Sequence, residues 1–549
     1  MDRKFAFLKT AVVLSATLLA ASLWAADTIS QEEEGAKVYC LKRTGYDGEY
    51  YLQLSQQQAN YEPAEGETCA TSWVGNQNQD EPDVYEAMRE FLYDEEFPLR
   101  GLFLASDVDF GGYDESQQKC NQEFRPFVFE GVSGAVIIRS KDSKTYTVRG
   151  LCRISEYSSD YAAFAARRDV GEITLENINF EDVHLENDEY AGLLINEESI
   201  GTASTFGVGS YVFTNVSVKD AVIRSYSLAG VLASQAVNVS VYNFQGENIS
   251  VSSKVRDETN AYDDIAIGGL FGKVDTLASM ESVVVKNLSV THNWNSEYSN
   301  GQDEYGNVLA SIGGLVGRTV GGFFANVAVE GLEVADRTET GGSWVGGLVG
   351  YANPLPFGTT GYSIQMTNTF TVGEIRCDGS SPCDIGFGVG KMSVGQDPNS
   401  YAWAFNFYAN YHYSDNSGDA SGFMGAIGGG FVDSTRAANE FNTEGTLTSG
   451  AGAAAAEPMT VAQGNFRNAV GDLTAGVFDT SSYVVRIEEE DGSDGSEFMN
   501  GVISSSAMKS ASFAAALNTY GRRFFTEVGN LSWQYDDKLA TPYLVGLPG

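Results

Sequence analysis

Apolar residues recur at every second position in short runs along the middle of the chain, and glycines break the runs. Tyr211-Val-Phe-Thr-Asn-Val-Ser-Val218 and Ser282-Val-Val-Val-Lys-Asn-Leu-Ser-Val290 are two of them. In Phe323–Val334 the residues Val327, Val329, Leu332 and Val334 share one face only if the backbone skips at Glu330-Gly331. Period two with a glycine interruption predicts strand, corner, strand. No amphipathic helical stretch separates successive runs, so alternating strands and helices are excluded, and each unit has to bury its apolar face against the next.

A glycine-rich hexapeptide punctuates the runs. Ile312-Gly-Gly-Leu-Val-Gly317 follows Ile267-Gly-Gly-Leu-Phe-Gly272 and precedes Val345-Gly-Gly-Leu-Val-Gly350, with weaker copies at Ala191-Gly-Leu-Leu, Ala229-Gly-Val-Leu and Ile385-Gly-Phe-Gly-Val-Gly390. Aligning Gly192, Gly230, Gly269, Gly314, Gly347 and Phe387 gives spacings of 38, 39, 45, 33 and 40 residues, a spread that fits stacked repeats with loop insertions. The expected fold is all-β, a parallel β-helix (β-solenoid) with a small mixed N-terminal cap and a C-terminal capping segment containing a short helix. Leu193, Val231, Leu270, Leu315 and Leu348 are its expected repeat core.

Gly-Gly-Leu-Val-Gly followed by a strand of the form x-Asn-x-x-Val resembles the GLUG repeat of bacterial surface proteins, over roughly Ala191 to Val389. The resemblance implies a β-solenoid in a secreted or surface protein of adhesin-like character, sometimes beside a peptidase. The repeat itself implies no catalytic residue.

The flanks divide the rest of the chain. Arg3, Lys4 and Lys9 ahead of the apolar run Thr10–Ala25 read as a signal peptide over 1–25, which makes the protein exported, secreted or held at a bacterial cell surface, and not membrane-spanning after cleavage. Residues 26–160 form an N-terminal cap, with helical spacing in Tyr85–Tyr93 and a strand in Gly101–Gly112; 161–440 carry the repeats. Residues 441–465 are a linker rich in Gly, Ala, Thr and Ser, and 466–549 a closing segment with a short helix at Ser506–Asn518. The polar run between Asn295 and Val308 is expected to protrude as a loop.

Charge narrows the partners. Cleavage removes three of 34 basic and one of 73 acidic residues, deepening the net charge from −39 to −41, and such a surface repels nucleic acid. Calcium could be sought in the acidic loop 488–497, but it lacks the alternating ligands of an EF-hand loop, and no cofactor or metal is expected. Six cysteines in an exported chain predict disulfides. Fifteen pairings are open, and proximity in sequence favours Cys40–Cys69, Cys120–Cys152 and Cys377–Cys383.

Asp107 and Asp109 admit two readings, a catalytic acid pair or a turn in which the carboxylates bond local amides; the turn is favoured. His184, His292 and His412 are the only histidines, with no zinc-peptidase, nucleophile-elbow or phosphate-loop motif around them. Asp263-Asp264 is present without the companion motifs of pectin hydrolases. In the aromatic strand Tyr401–Tyr413, Tyr401, Trp403, Phe405 and Phe407 share one face at period two. Facing solvent, Tyr401, Trp403, Tyr408, Tyr411 and Tyr413 are candidate glycan contacts; facing inward they are core, the favoured reading for Trp403 and Phe405. The sequence points to a non-catalytic, adhesin-like protein that binds a surface polymer, glycan or partner protein. The alternatives are a polysaccharide lyase or hydrolase and a purely structural surface protein.

Overall fold

The structure, a computed structural model, describes residues 37–393 apart from 74–83, 92–98, 156–161, 197–208, 255–264, 294–309, 338–342, 353–363, 379–382 and a few shorter pieces. Beyond 393 it describes chiefly the backbone of strands. The signal segment 1–25, the loop 295–308, Asp263-Asp264, Tyr401 and the acidic loop 488–497 lie outside the described residues.

The described chain starts with an antiparallel hairpin, Lys37–Tyr46 with Glu49–Gln58. It turns at Asp47-Gly48, with φ of +51° and +81°, the backbone that a two-residue hairpin turn of matching twist requires. Glu67–Ala70 adds a third antiparallel strand and sets Cys69 opposite Cys40, to which it is disulfide-bonded.

From Glu49–Gln58 onward the pairing is parallel. Leu99–Leu104, Val136–Ser140, Glu172–Glu186, Ser210–Ser225, Ala233–Ser253, Phe271–His292, Val316–Asp336, Ile364–Cys377 and Ala402–Asp415 each pair with the strand before. Parallel stacking therefore begins well upstream of residue 161, inside the stretch that the sequence marks as a cap. A second, seven-stranded sheet is parallel throughout: Tyr190–Ala191, Leu228–Ala229, Ile265–Gly268, Ala310–Gly313, Ser343–Gly346, Cys383–Gly386 and Met424–Gly425. The fold is all-β and predominantly parallel.

The long strands bend twice, and the bends explain why the apolar period slips. Asn177, Asn215, Asn243, Ser282 and Asn326 occupy the first corner with φ between +53° and +57°. Asp182, Asp220, Asn248 and Asn287 occupy the second at +53° to +55°, followed by Gly331 at +64°. Asparagine and aspartate tolerate this left-handed backbone better than other side-chain-bearing residues. Stacking also lets one amide feed the next, Asn215 Nδ2 donating to Asn177 Oδ1 at 2.9 Å and Asn287 Nδ2 to Asn248 Oδ1 at 2.9 Å. Between corners the inward residues form buried columns such as Ile178, Val216, Phe244, Val283 and Val327. Each fully buried side chain of this size contributes roughly 1.5–3 kcal/mol.

The Gly-Gly-Leu segments join the short sheet to the long strands. Leu270 N donates to Leu315 O and Leu315 N to Leu348 O, both at 2.9 Å. A Cβ on Gly314 would lie 2.0 Å from the carbonyl oxygen of Gly347, so the backbones approach too closely for any side chain. In the weaker copies the register runs one residue differently from the alignment drawn on the sequence. Ala229 pairs with Ile267 and Leu232 N donates to Leu270 O. The stacked leucine column is thus Leu194, Leu232, Leu270, Leu315 and Leu348, while Leu193 and Val231, also buried, stand one position earlier.

The upstream end is filled by aromatic rings. Tyr39, Trp73, Phe110, Phe124, Phe127, Phe164 and Phe180 are buried, with neighbouring centroids such as Phe110 and Phe124 at 4.7 Å and Phe164 and Phe180 at 5.2 Å. Val84, Met88 and Phe91 have helical backbone and pack on this core, the last two within the stretch that the spacing of Tyr85–Tyr93 predicts as a helix. Cys120 is bonded to Cys152. Cys377 is buried and disulfide-bonded, and the side chain of Cys383 lies outside the described residues.

At the other end, Ser532–Asp536 and Thr541–Val545 pair antiparallel, and Thr541–Val545 lies against Val316–Asp336. Of the expected helix at 506–518 only Ala511, which is helical, is described. No helix among the described residues is long and apolar enough to cross a membrane.

Candidate functional site

Register places one column on the face opposite the apolar core of the long sheet: Gln53 and Phe103, both buried, then Arg139, Glu176, Thr214, Tyr242 and Glu281, each the pairing partner of the next. Adjacent positions are about 4.8 Å apart, the spacing of paired strands. Their inward neighbours Leu102, Ile138, Leu175, Phe213, Val241 and Met280 are buried, and this fixes the column to the opposite face of the pleat. Tyr242 is 42% exposed, so an aromatic ring stands on this face with no core to serve. At the upstream end, beside the hairpin turn, Tyr46 and the segment Lys141–Ser143 border the column and a cleft opens.

Of the acid pair, Asp109 makes the local turn bond, its Oδ1 accepting from Gly111 N at 2.9 Å, while Asp107 Oδ1 accepts from the distant Thr147 N at 2.8 Å. A backbone amide thus engages one oxygen of each carboxylate. Asp182 stands near Asp109 and Asp220; partial burial, then those two charges, hold its carboxyl above the ordinary range. His184 and Arg149 offset part of this rise, and Lys37 lies 3.8 Å from Asp109.

The described histidines are held in place by their neighbours. His184 stacks on Tyr113 at 3.8 Å, and its Nε2 lies 2.8 Å from Glu186 Oε1. Burial works against ionisation of Glu186, but His184, Arg224 and Lys254 outweigh it and keep its carboxyl below the usual value. His292 Nδ1 lies 3.1 Å from Asp336 Oδ1, while Ser343 Oγ donates to Asp336 Oδ2. These are the residue types of a nucleophilic triad, but the aspartate sits between the other two and all three are buried. A hydroxyl bonded to the carboxylate and closed from solvent is not an activated nucleophile. Cys40, Glu67 and Cys69 bring metal-ligand atoms together, yet the two sulfurs are bonded to each other.

For the aromatic strand the structure gives register alone. Ala402 and Ala404 continue the buried column of Ile364 and Met366, while Trp403 and Phe405 pair with Gln365 and Thr367. Asn406 falls in the corner column below Asn326 and Asn368, and beyond it Phe407 pairs with buried Thr369. A single period-two face through Trp403, Phe405 and Phe407 therefore does not exist, because the corner changes parity. Trp403 and Phe405 align with the outward columns; Tyr408 pairs with the buried Phe370, and Tyr411 and Tyr413 align with Leu332 and Val334 of the core.

Sequence reading missed Tyr46, Phe103, Arg139, Lys141 and Glu176. They lie far apart in the chain, and only the stacking register brings them together. The chain matches no family model, no curated protein and no solved structure.

Proposed function

We propose that the protein is an exported, non-catalytic β-solenoid of adhesin-like character that binds an extended glycan along its lateral face. The carrying observation is the outward column from Arg139 to Glu281, which repeats potential contacts at one strand spacing and exposes Tyr242. A regular array of weak contacts suits a repeating polymer, because each further contact is intramolecular once the first has formed. The GLUG-like repeats, the signal-like start and the two disulfides Cys40–Cys69 and Cys120–Cys152 support an extracellular setting.

The test is to incubate purified protein with insoluble plant and microbial polysaccharides, measuring retention, new reducing ends and unsaturated uronate absorbance together. Retention without product is the expected result. Sustained product formation, abolished by replacing one carboxylate, would replace this reading with a lyase or hydrolase.

A further inference from the structure

The cleft at the upstream end of the column has a volume of about 400 Å³ and is bounded by Tyr46, Phe103, Arg139, Lys141, Asp142 and Glu176. Small-molecule sites run from roughly 300 to 1,000 Å³, so this is room for a small ligand or one unit of a larger one.

Its aromatic lining is one exposed ring, Tyr46, braced on the buried Phe103. Tyr46 is 52% exposed, but its ring meets Phe103 edge-on at 5.6 Å and Tyr51 at 6.1 Å, and Tyr51 stacks on Phe103 at 4.2 Å. The Arg139 guanidinium carbon lies 4.8 Å from the Tyr46 centroid and 5.0 Å from that of Phe103, within cation–π range of both. A ring already immobilised loses little conformational freedom when a ligand lands on it.

The polar lining is braced as well. Arg139 lies 4.0 Å from Glu176, and Lys141 Nζ donates to Gln53 Oε1 at 2.9 Å. Asp142 and Ser143 are consecutive non-glycine residues with φ of +59° and +57°. This left-handed pair, of the kind the corners also use, turns the chain and leaves Asp142 in the open. Two cations and two carboxylates cancel, so the cleft is locally neutral on a chain of net charge −39. An anionic ligand would find neither an excess of positive charge here nor attraction from the surrounding surface.

We propose that this cleft binds one pyranose ring of a neutral glycan, with Tyr46 as its platform. The C–H face of the sugar packs on the tyrosine, and its hydroxyls pair with Arg139, Lys141, Asp142 and Glu176, whose charged donors and acceptors give the stronger class of hydrogen bond. The next sugars run from Glu176 past Thr214 to Tyr242, three strands or about 14 Å beyond Arg139. The inference rests on the glycan-binding reading and gives it a ligand class and a place.

The test is calorimetric titration of the intact protein with short and long neutral oligosaccharides and matched uronic-acid oligosaccharides, using wild type, Tyr46→Ala and Tyr242→Ala. Both tyrosines are exposed, and an unchanged circular dichroism spectrum checks the fold of each variant. Neutral sugars should bind, and Tyr46→Ala should weaken every length at least about tenfold, as for loss of a central aromatic anchor. Tyr242→Ala should weaken only the long ones. Equal affinity of Tyr46→Ala and wild type, preference for uronates, or no binding of soluble sugar would each overturn the cleft proposal. Retention on insoluble polymer that persists in Tyr46→Ala would sink the cleft while leaving the lateral-face reading in place. Failure of wild type to bind either form would sink both.

Discussion

At the corners, single residues decide whether the strand can turn. The second corner holds Asp182 and Asp220 where later strands hold Asn248 and Asn287, all with the same left-handed backbone. Asparagine can donate to the strand before it, as Asn248 Nδ2 does to Asp220 Oδ1 at 2.8 Å. An ionised aspartate cannot donate, and Asp182 is partly buried and faces Asp109 and Asp220 as like charges. Its carboxyl is held above its ordinary value, so between the unfolded and folded values the folded state binds the proton more strongly, and stability falls as pH rises through that window. Asp182→Asn removes the charge and keeps the turn. It is expected to raise the urea midpoint at about pH 7, with the gain shrinking toward about pH 3, where the unfolded aspartate is also protonated. Equal midpoints at both pH values would mean that the like charges are fully screened by solvent.

Elements interlock through the Gly-Gly-Leu segments, where Leu315 lies between Leu270 and Leu348 with no exposure to solvent. Leu315→Ala deletes buried volume that the close glycine backbones cannot move to fill. It should cost about 2–5 kcal/mol and lower the thermal midpoint by several degrees; a shift within about a degree would place the leucine outside the load of the stack. Much of this element was legible in the chain. Gly-Gly-Leu marked the close approach, and the slip at Glu330-Gly331 marked a corner that the structure places there, with Gly331 at φ +64°. The weaker copies misled, because a single glycine in Ala229-Gly-Val-Leu aligns equally well with either glycine of Gly268-Gly269, and only the pairing of Ala229 with Ile267 decides. The aromatic strand misled for a related reason: a corner at Asn406 inverts the faces, and its signal was the recurring asparagine, from Asn177 through Asn326 and Asn368, rather than the aromatic pattern itself. The cleft left no linear trace, since the ladder that joins Phe103, Arg139 and Glu176 arises from sheet register.

The described parallel strands form a stack in which each is supported by its neighbours, so its ends are where strand edges lie open. The upstream end is closed by the hairpin Lys37–Gln58, the aromatic cluster around Trp73 and the bond between Cys120 and Cys152. That bond ties the segment before Phe124 to Tyr146–Ile154, a strand that pairs directly with Glu172–Glu186. It spans a sequence separation of 32 residues, for which loop-closure entropy predicts about 3–4 kcal/mol of stabilisation. Replacing both cysteines with serine should therefore loosen the upstream strands before the downstream ones. Hydrogen exchange followed by peptide is the direct measurement: amides of Val136–Ser140 and Glu172–Glu186 should exchange markedly faster, while those of Val316–Asp336 should hold nearly wild-type protection. Uniform acceleration through Val316–Asp336 would show that the stack unfolds as one cooperative unit, and that the bond stabilises all of it rather than the end it closes.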